Sequence, residues 1–259
     1  TLGIGLSGTP NGSETLTVNP VDNGIYDGAG NEASTSQSNN TRTLNDKLAP
    51  TITSVSLAST NATIAVTFSE GVFNTNGSSG ALEALEASDF AFSISGGTAS
   101  LSSATPTSIS ASGNVYTLGI GLSGTPNGSE TLTVNPVDNG IYDAAGNEAS
   151  TSQSNNTVTL NDKLPATITG VSLASTNATI AVTFSEGVFN TNGGSGALEA
   201  ADFAFSISGG TASLSSATPT SISASGNVYT LGIGLSGTPN GSETLTVNPV
   251  DNGIYDAAG

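Results

Sequence analysis

Hydrophobic and polar residues alternate in short runs along most of the chain, which is the pattern of half-buried β-strands. In one run, Ile64, Val66 and Phe68 alternate with Ala65 and Thr67. The same period of two continues at 90–94, 116–122, 132–134 and 158–160. Pairs and triplets rich in Gly, Asn and Pro separate the runs, and these residues favour tight turns. The pattern therefore predicts an all-β protein of short antiparallel strands.

One stretch departs from this pattern, because residues 81–87 have a composition that favours a helix. The stretch lies in ALEALEASDF, which becomes ALEAADF in a later copy of the same sequence. A difference of three residues is close to one turn of an α-helix. We therefore predict a short helix in this loop that is one turn longer in the first copy.

Internal repeats set the domain organisation. The segment TLGIGLSGTPNGSETLTVNPVDNGIYD occurs three times, starting at Thr1, Thr117 and Thr230. A period of about 115 residues is a whole domain, because solenoid units are much shorter. We predict the end of one repeat at 1–47, a complete repeat at 48–163, and a repeat at 164–259 that stops before its last strand. The chain begins and ends at the same phase of the repeat, which suggests a window of a longer tandem array.

About seven short strands in each repeat predict tandem immunoglobulin-like antiparallel β-sandwich domains with a short helix in one loop. The chain has no Cys and no Trp, so the disulfide and tryptophan of antibody domains cannot form this core. Phe, Tyr, Ile, Val and Leu must form it instead.

Composition then limits the function. The 259 residues include 20 acidic and 3 basic ones, giving a formal net charge of −17. Such a surface repels nucleic acid and anionic membranes, and the chain contains no apolar run long enough to insert into a membrane. With no His and no Cys, Ser has no partner to activate it, so we predict that the protein is not an enzyme.

The acidic residues are expected to converge at one end of each sandwich. In the immunoglobulin strand order, the B–C and F–G loops lie beside the linker that precedes the domain. This places linker Asp46 near Glu70 and near Asp143 with Asn147, and the second linker repeats the arrangement with Asp162, Glu186 and Asp256. Oxygen ligands of this kind suit Ca²⁺. The alternative is that DAAGN is only a turn in which Asp accepts hydrogen bonds from backbone amides.

The motifs TFSEGV, SISGG, NPVDNGIYDAAGNEAS and TLNDKLAP resemble the tandem bacterial Ig-like repeats of large surface adhesins and biofilm-associated proteins. The resemblance covers the whole chain. It implies stiff extracellular repeats, with calcium at the junctions limiting bending and protease access. The residues that match the D-x-A-G-N motif are Asp27, Asn31, Asp143, Asn147 and Asp256, and those that match the linker acids are Asp46 and Asp162. The linker proline moves from Pro50 in the first linker to Pro165 in the second.

These observations favour a segment of an extracellular adhesin stalk or fibre at the cell surface, whose partners are neighbouring repeats of the same chain. Two alternatives stay open. One is a subunit of a multi-chain filament or layer that shares strands between copies; the other is a glycan-binding accessory module. Arg42, which stands where the next copy has Val158, is expected either at a strand edge or in a contact between domains.

Overall fold

The computed structural model describes residues 1–76 and 81–259, which form two compact units, Thr1–Asn161 and Asp162–Gly259. The first unit contains a small sheet from residues 1–47, followed by a complete sandwich. The second unit contains the next copy of the sandwich sequence.

The strands of the first unit are short. The small sheet pairs β1 (Thr15–Thr17) with β2 (Thr41–Thr43). The strands of the sandwich are β3 (Ile52–Leu57), β4 (Thr63–Phe68), β5 (Val72–Phe73), β6 (Phe90–Ser95), β7 (Ser100–Leu101), β8 (Ile109–Ser112), β9 (Val115–Gly119), β10 (Leu122–Ser123), β11 (Thr131–Pro136), β12 (Tyr142–Asp143) and β13 (Thr157–Thr159).

Two antiparallel sheets form this sandwich. One has the strand order β3-β4-β9-β8 and the other the order β13-β11-β6, with the short pairs β5–β12 and β7–β10 beside them. Assigning β3, β4, β6, β8, β9, β11 and β13 to letters A to G gives sheets A-B-E-D and G-F-C, which is the immunoglobulin constant-type order. The predicted all-β class is therefore confirmed.

The core between the sheets follows from the alternation in the sequence. Along β4 the side chains of Ile64, Val66 and Phe68 are buried, while those between them are half-buried. Phe68 packs edge-on against Tyr116, with ring centroids 5.9 Å apart, and lies 6.2 Å from Phe90. Edge-to-face packing of this kind is favourable between aromatic rings. Three aromatic side chains thus pack together in a core that has no disulfide and no Trp.

The second unit repeats this architecture. Its strands are β14 (Ile168–Leu173), β15 (Thr179–Phe184), β16 (Phe203–Ser208), β17 (Ser213–Leu214), β18 (Ile222–Ser225), β19 (Val228–Gly232), β20 (Leu235–Ser236) and β21 (Thr244–Pro249). The sheet β14-β15-β19-β18 matches the first sheet of the complete repeat, and β16 pairs with β21 as β6 pairs with β11. Among the described residues, no strand lies on the other edge of β21.

The loop helix differs from the prediction. Residues 81–86 are not helical, and the helical part is one 3₁₀ turn, η1 (Ala87–Asp89), with an equal turn η2 (Ala200–Asp202) in the second copy. The extra residues precede the buried Leu85 and do not lengthen a helix. A single turn cannot form the stable hydrogen-bond series of an α-helix, so the composition of the segment did not decide its conformation.

Candidate metal centre

The linker aspartates have the same local geometry in both copies. Asp46 Oδ1 accepts a hydrogen bond of 2.8 Å from the backbone N–H of Leu48, and Asp162 Oδ1 accepts one of 2.8 Å from Leu164. Asp side chains commonly close such turns two residues ahead. Each linker carboxylate is thereby held just before the strand that begins its sandwich.

The glutamate of the cluster lies in the loop that follows β4. Before Glu70, Ser69 donates its backbone N–H to the carbonyl of Thr51 at 2.9 Å, and Ser69 Oγ accepts from Thr51 N at 3.1 Å. Ser185 and Thr167 form the same pair of bonds beside Glu186. These bonds fix each glutamate next to the start of the first strand, and so next to the linker.

The third carboxylate, Asp143, is the last residue of β12 and the first of the loop DAAGN, and it is completely buried. Its Oδ1 accepts from the backbone N–H groups of Ala145 and Asn147, both at 2.8 Å, and its Oδ2 accepts from Asn147 Nδ2 at 2.7 Å. Gly146, at φ +85°, lets the chain turn back around the carboxylate. The aspartate therefore does cap a tight turn.

Capping does not prevent this aspartate from joining a cluster. Carboxylate oxygens of Asp46, Glu70 and Asp143 all lie within 4.8 Å of one another. Oxygens of Asp162, Glu186 and Asp256 form an equivalent cluster in the second unit. We call these two groups the acidic triads. A carboxylate oxygen that accepts one hydrogen bond keeps a lone pair for a further ligand.

The triads carry unfavourable negative charge. Burial raises the pKa of Glu70 above its ordinary value, and the charges of Asp143 and Asp46 raise it further. Burial likewise raises the pKa of Glu186, with additional contributions from Asp162 and Asp256. Like charges at this separation disfavour ionisation, so a bound cation would relieve the repulsion.

The spacing of the triads fits one calcium ion. Oxygens bound to the same Ca²⁺ at about 2.3–2.6 Å can be no more than about 5 Å apart. Three carboxylate groups provide part of a shell of six to eight oxygens, and backbone carbonyls or water would supply the rest.

The predicted site residues therefore fall into three groups. Six of the nine form the triads. Asn147 contacts Asp143 through its amide nitrogen and so orients that carboxylate. Asp27 and Asn31 form the same turn, with Asn31 Nδ2 donating to Asp27 Oδ2 at 2.9 Å, but both are exposed and belong to no triad among the described residues.

The sequence reasoning did not single out one buried acid. Glu130 is fully buried, and its Oε1 accepts backbone N–H bonds from Thr98 at 2.7 Å and Ala99 at 2.9 Å. A Cβ atom at Gly97 would overlap this carboxylate. The sequence did contain a signal for this contact, namely the two glycine-containing motifs SGG at 95–97 and NGSE at 127–130. A glycine in the first motif has no side chain and so leaves room for the glutamate of the second.

Comparisons with known proteins do not show a family for this chain. No protein-family model matches it, and no curated protein matches it. The crystal structure of the N-terminal part of the bacterial S-layer protein SbsC is similar over 78% of this chain and 44% of that chain, with 18% identity and a TM-score of 0.32. The chain thus spans less than half of that structure, and similarity at this level does not indicate a shared function.

No helix among the described residues is long and apolar enough to cross a membrane.

Proposed function

We propose that this chain is a structural repeat segment of an extracellular stalk or fibre, and that calcium at the acidic triads stiffens the linkers. The observation that carries the proposal is the convergence of a linker aspartate with two loop carboxylates, which occurs in both units at equivalent positions. Such conservation of position between copies is expected if each repeat holds its linker through the same calcium site, which we call the clamp.

The clamp would act on the linker residue. Without a cation, Asp46 and Asp162 are repelled by the carboxylates of the sandwich that follows them. A calcium ion would replace that repulsion with shared coordination and would hold the linker against the sandwich. Extracellular calcium modules bind at about 10⁻⁴–10⁻³ M, so the clamp would be filled outside cells.

The basic residues provide a specific test. The three are Arg42, Lys47 and Lys163, so trypsin can cleave only in or beside the linkers. Lys47 and Lys163 follow directly after the two linker aspartates. We expect calcium to slow cleavage after both lysines by about tenfold or more relative to chelator, since proteolysis follows the population of opened chain.

The variant Glu70→Gln/Glu186→Gln should abolish this protection, whereas Glu83→Gln/Asp251→Asn, which removes two exposed acids outside the triads, should retain it. Cleavage rates that do not change with calcium in the unsubstituted chain would contradict the proposal. Equal protection in both variants would show that calcium acts elsewhere on the acidic surface.

A further inference from the structure

Asparagine is followed directly by glycine in three recurring motifs of the chain. Glycine has no side chain to shield its backbone nitrogen, so at these positions the nitrogen can reach the asparagine side chain most easily. The motifs are NGSE at Asn11, Asn127 and Asn240, DNGIYD at Asn23, Asn139 and Asn252, and NTNG at Asn76 and Asn192.

The reaction open to such a pair is loss of the side-chain amide. The backbone nitrogen of the glycine attacks Cγ of the asparagine and forms a C–N bond, and the Cγ–Nδ2 bond breaks, so that ammonia leaves with the proton of the glycine N–H. Water then opens the cyclic imide at one of its two carbonyl groups and gives aspartate or isoaspartate. Because the side chain must turn towards a free N–H, hydrogen bonds that hold either group slow the reaction.

The complete repeat holds its DNG turn in this way. Gly140 donates its N–H to the carbonyl of Val137 at 3.0 Å. Asn139 Nδ2 donates to Asp138 Oδ2 at 2.9 Å, and Asn139 Oδ1 accepts from the Tyr142 hydroxyl at 3.3 Å. The nucleophile and the amide are thus both occupied, and attack at Asn139 requires these bonds to break.

Two of the three Asn-Gly pairs in the second unit are held as well. Gly253 donates its N–H to the carbonyl of Val250 at 3.0 Å. Gly241 donates its N–H to Glu243 Oε2 at 3.0 Å. In both pairs the nitrogen that would attack the asparagine is therefore engaged elsewhere.

The third pair lies at the tip of the loop between β15 and β16. Thr191 N donates to the carbonyl of Ser195 at 3.1 Å and closes a tight turn around Asn192, Gly193 and Gly194. Asn192 and Gly193 are exposed, and a Cβ atom at Gly193 would meet no atom within 4 Å. Within the described part of the chain, neither the Asn192 side chain nor the N–H of Gly193 has a hydrogen-bond partner.

We propose that Asn192 is a site of spontaneous deamidation, at which the second unit acquires aspartate or isoaspartate as the protein ages. Of the Asn-Gly pairs in this unit, it is the one whose amide and attacking nitrogen are both free of hydrogen bonds to the described residues. Water is the co-reactant, so the modification needs no enzyme and does not depend on calcium.

The new carboxylate lies beside the loop that carries Asp256. Asn192 Oδ1 is against Gly259, where a Cβ atom would overlap it, and Gly259 donates its N–H to Asp256 Oδ1 at 2.7 Å. The complete repeat has the same contact, because a Cβ atom at Gly146 would overlap Asn76 Oδ1. Deamidation therefore adds negative charge next to an acidic triad.

Peptide mapping of the whole chain after prolonged incubation at mildly alkaline pH tests the proposal. A protease that cleaves after Glu releases peptides 187–199, 131–148 and 244–259, which contain Asn192, Asn139 and Asn252. In the folded chain we expect Asn192 to lose its amide at least about tenfold faster than the other two, because hydrogen bonds must break at those sites. In concentrated urea the three rates should converge.

Two results would overturn the proposal. One is an equal rate at the three sites in the folded chain, and the other is a difference in rate that persists in urea, because local sequence would then set the order. Peptide 187–199 also contains Asn190, so the variant Asn192→Gln provides the control. Isoaspartate that still forms in this peptide of the variant would place the reaction at Asn190 and overturn the assignment.

The effect on the acidic triad rests on the proposed function and has its own measurement. Asn192→Asp, which reproduces one product, should lower the calcium concentration that half-protects Lys163 from trypsin by about fivefold, because the added charge attracts the cation. Cleavage after Lys47 should not change. Unchanged protection at Lys163 would contradict this effect. If calcium protects neither lysine, the proposed function fails, whereas the deamidation rates still decide the proposal for Asn192.

Discussion

At the scale of single residues, Glu130 shows how the sandwich keeps a buried charge. Burial acts to raise the pKa of Glu130, but backbone N–H groups of Ala99, Thr98 and Asn127 outweigh it, so that the pKa lies below the ordinary value. The carboxylate thus accepts hydrogen bonds from two separate loops, one at Thr98 and Ala99 and the other at Asn127. Its counterpart in residues 1–47, Glu14, is exposed, and within the described part of the chain its carboxylate accepts hydrogen bonds only from the backbone N–H of Asn11.

Glu130 and its exposed counterpart Glu14 provide a prediction and its control. Glu130→Gln should lower the free energy of unfolding by about 1–3 kcal/mol, because charge-assisted hydrogen bonds to buried N–H groups are lost. Glu14→Gln should change it by less than about 0.5 kcal/mol, as exposed substitutions usually do. Urea unfolding of both variants measures the difference. Equal effects would show that burial of Glu130 does not matter for stability.

The same interaction predicts a pH dependence in the second unit. Backbone N–H groups of Ala212 and Thr211 lower the pKa of Glu243 from 4.5 to about 2. Because the folded-state pKa is depressed, its stabilisation is complete above the unfolded value and is lost as pH falls from 4.5 towards about 2.

The Glu243→Gln chain should therefore lose less thermal stability across this acid range than the unsubstituted chain. Melting temperatures at matched pH values measure this, and parallel curves would contradict it.

At the scale of elements, the insertion in the first copy is absorbed by a loop. Asn74 N donates to the carbonyl of Glu83 at 3.0 Å, whereas its counterpart Asn190 donates to Gly196 at 3.2 Å. The donor is the same in both copies, and the acceptor lies further along the chain in the first copy by the length of the insertion. Both copies then continue alike, with Leu85 and Leu198 each 7% exposed.

Deleting residues 82–84 should therefore leave the first sandwich folded, with a change of less than about 1 kcal/mol in stability. Leu82 is 44% exposed, so the deletion removes no core contact. Thermal unfolding of the deletion chain checks this. A loss as large as that from truncating a buried leucine, about 2–5 kcal/mol, would show that the inserted residues pack.

Sequence pattern gave the strands more reliably than the loop. The period of two at Ile64, Val66 and Phe68 predicts which side chains face the core, and burial of that face fixes the pairing register of the strand. For residues 81–87, only the amino-acid composition favoured a helix, and local helix propensity is weak without packing. The meeting of Asp46, Glu70 and Asp143 followed from strand order. The bonds of Glu130 could not be foreseen, because they depend on backbone groups of another turn.

At the scale of the whole molecule, the distribution of charge limits how copies of the chain approach one another. Residues 48–162 contain no Lys or Arg, so the sides of the complete repeat carry uncompensated acids that repel neighbouring chains. Copies of the chain are therefore disfavoured from bundling side by side.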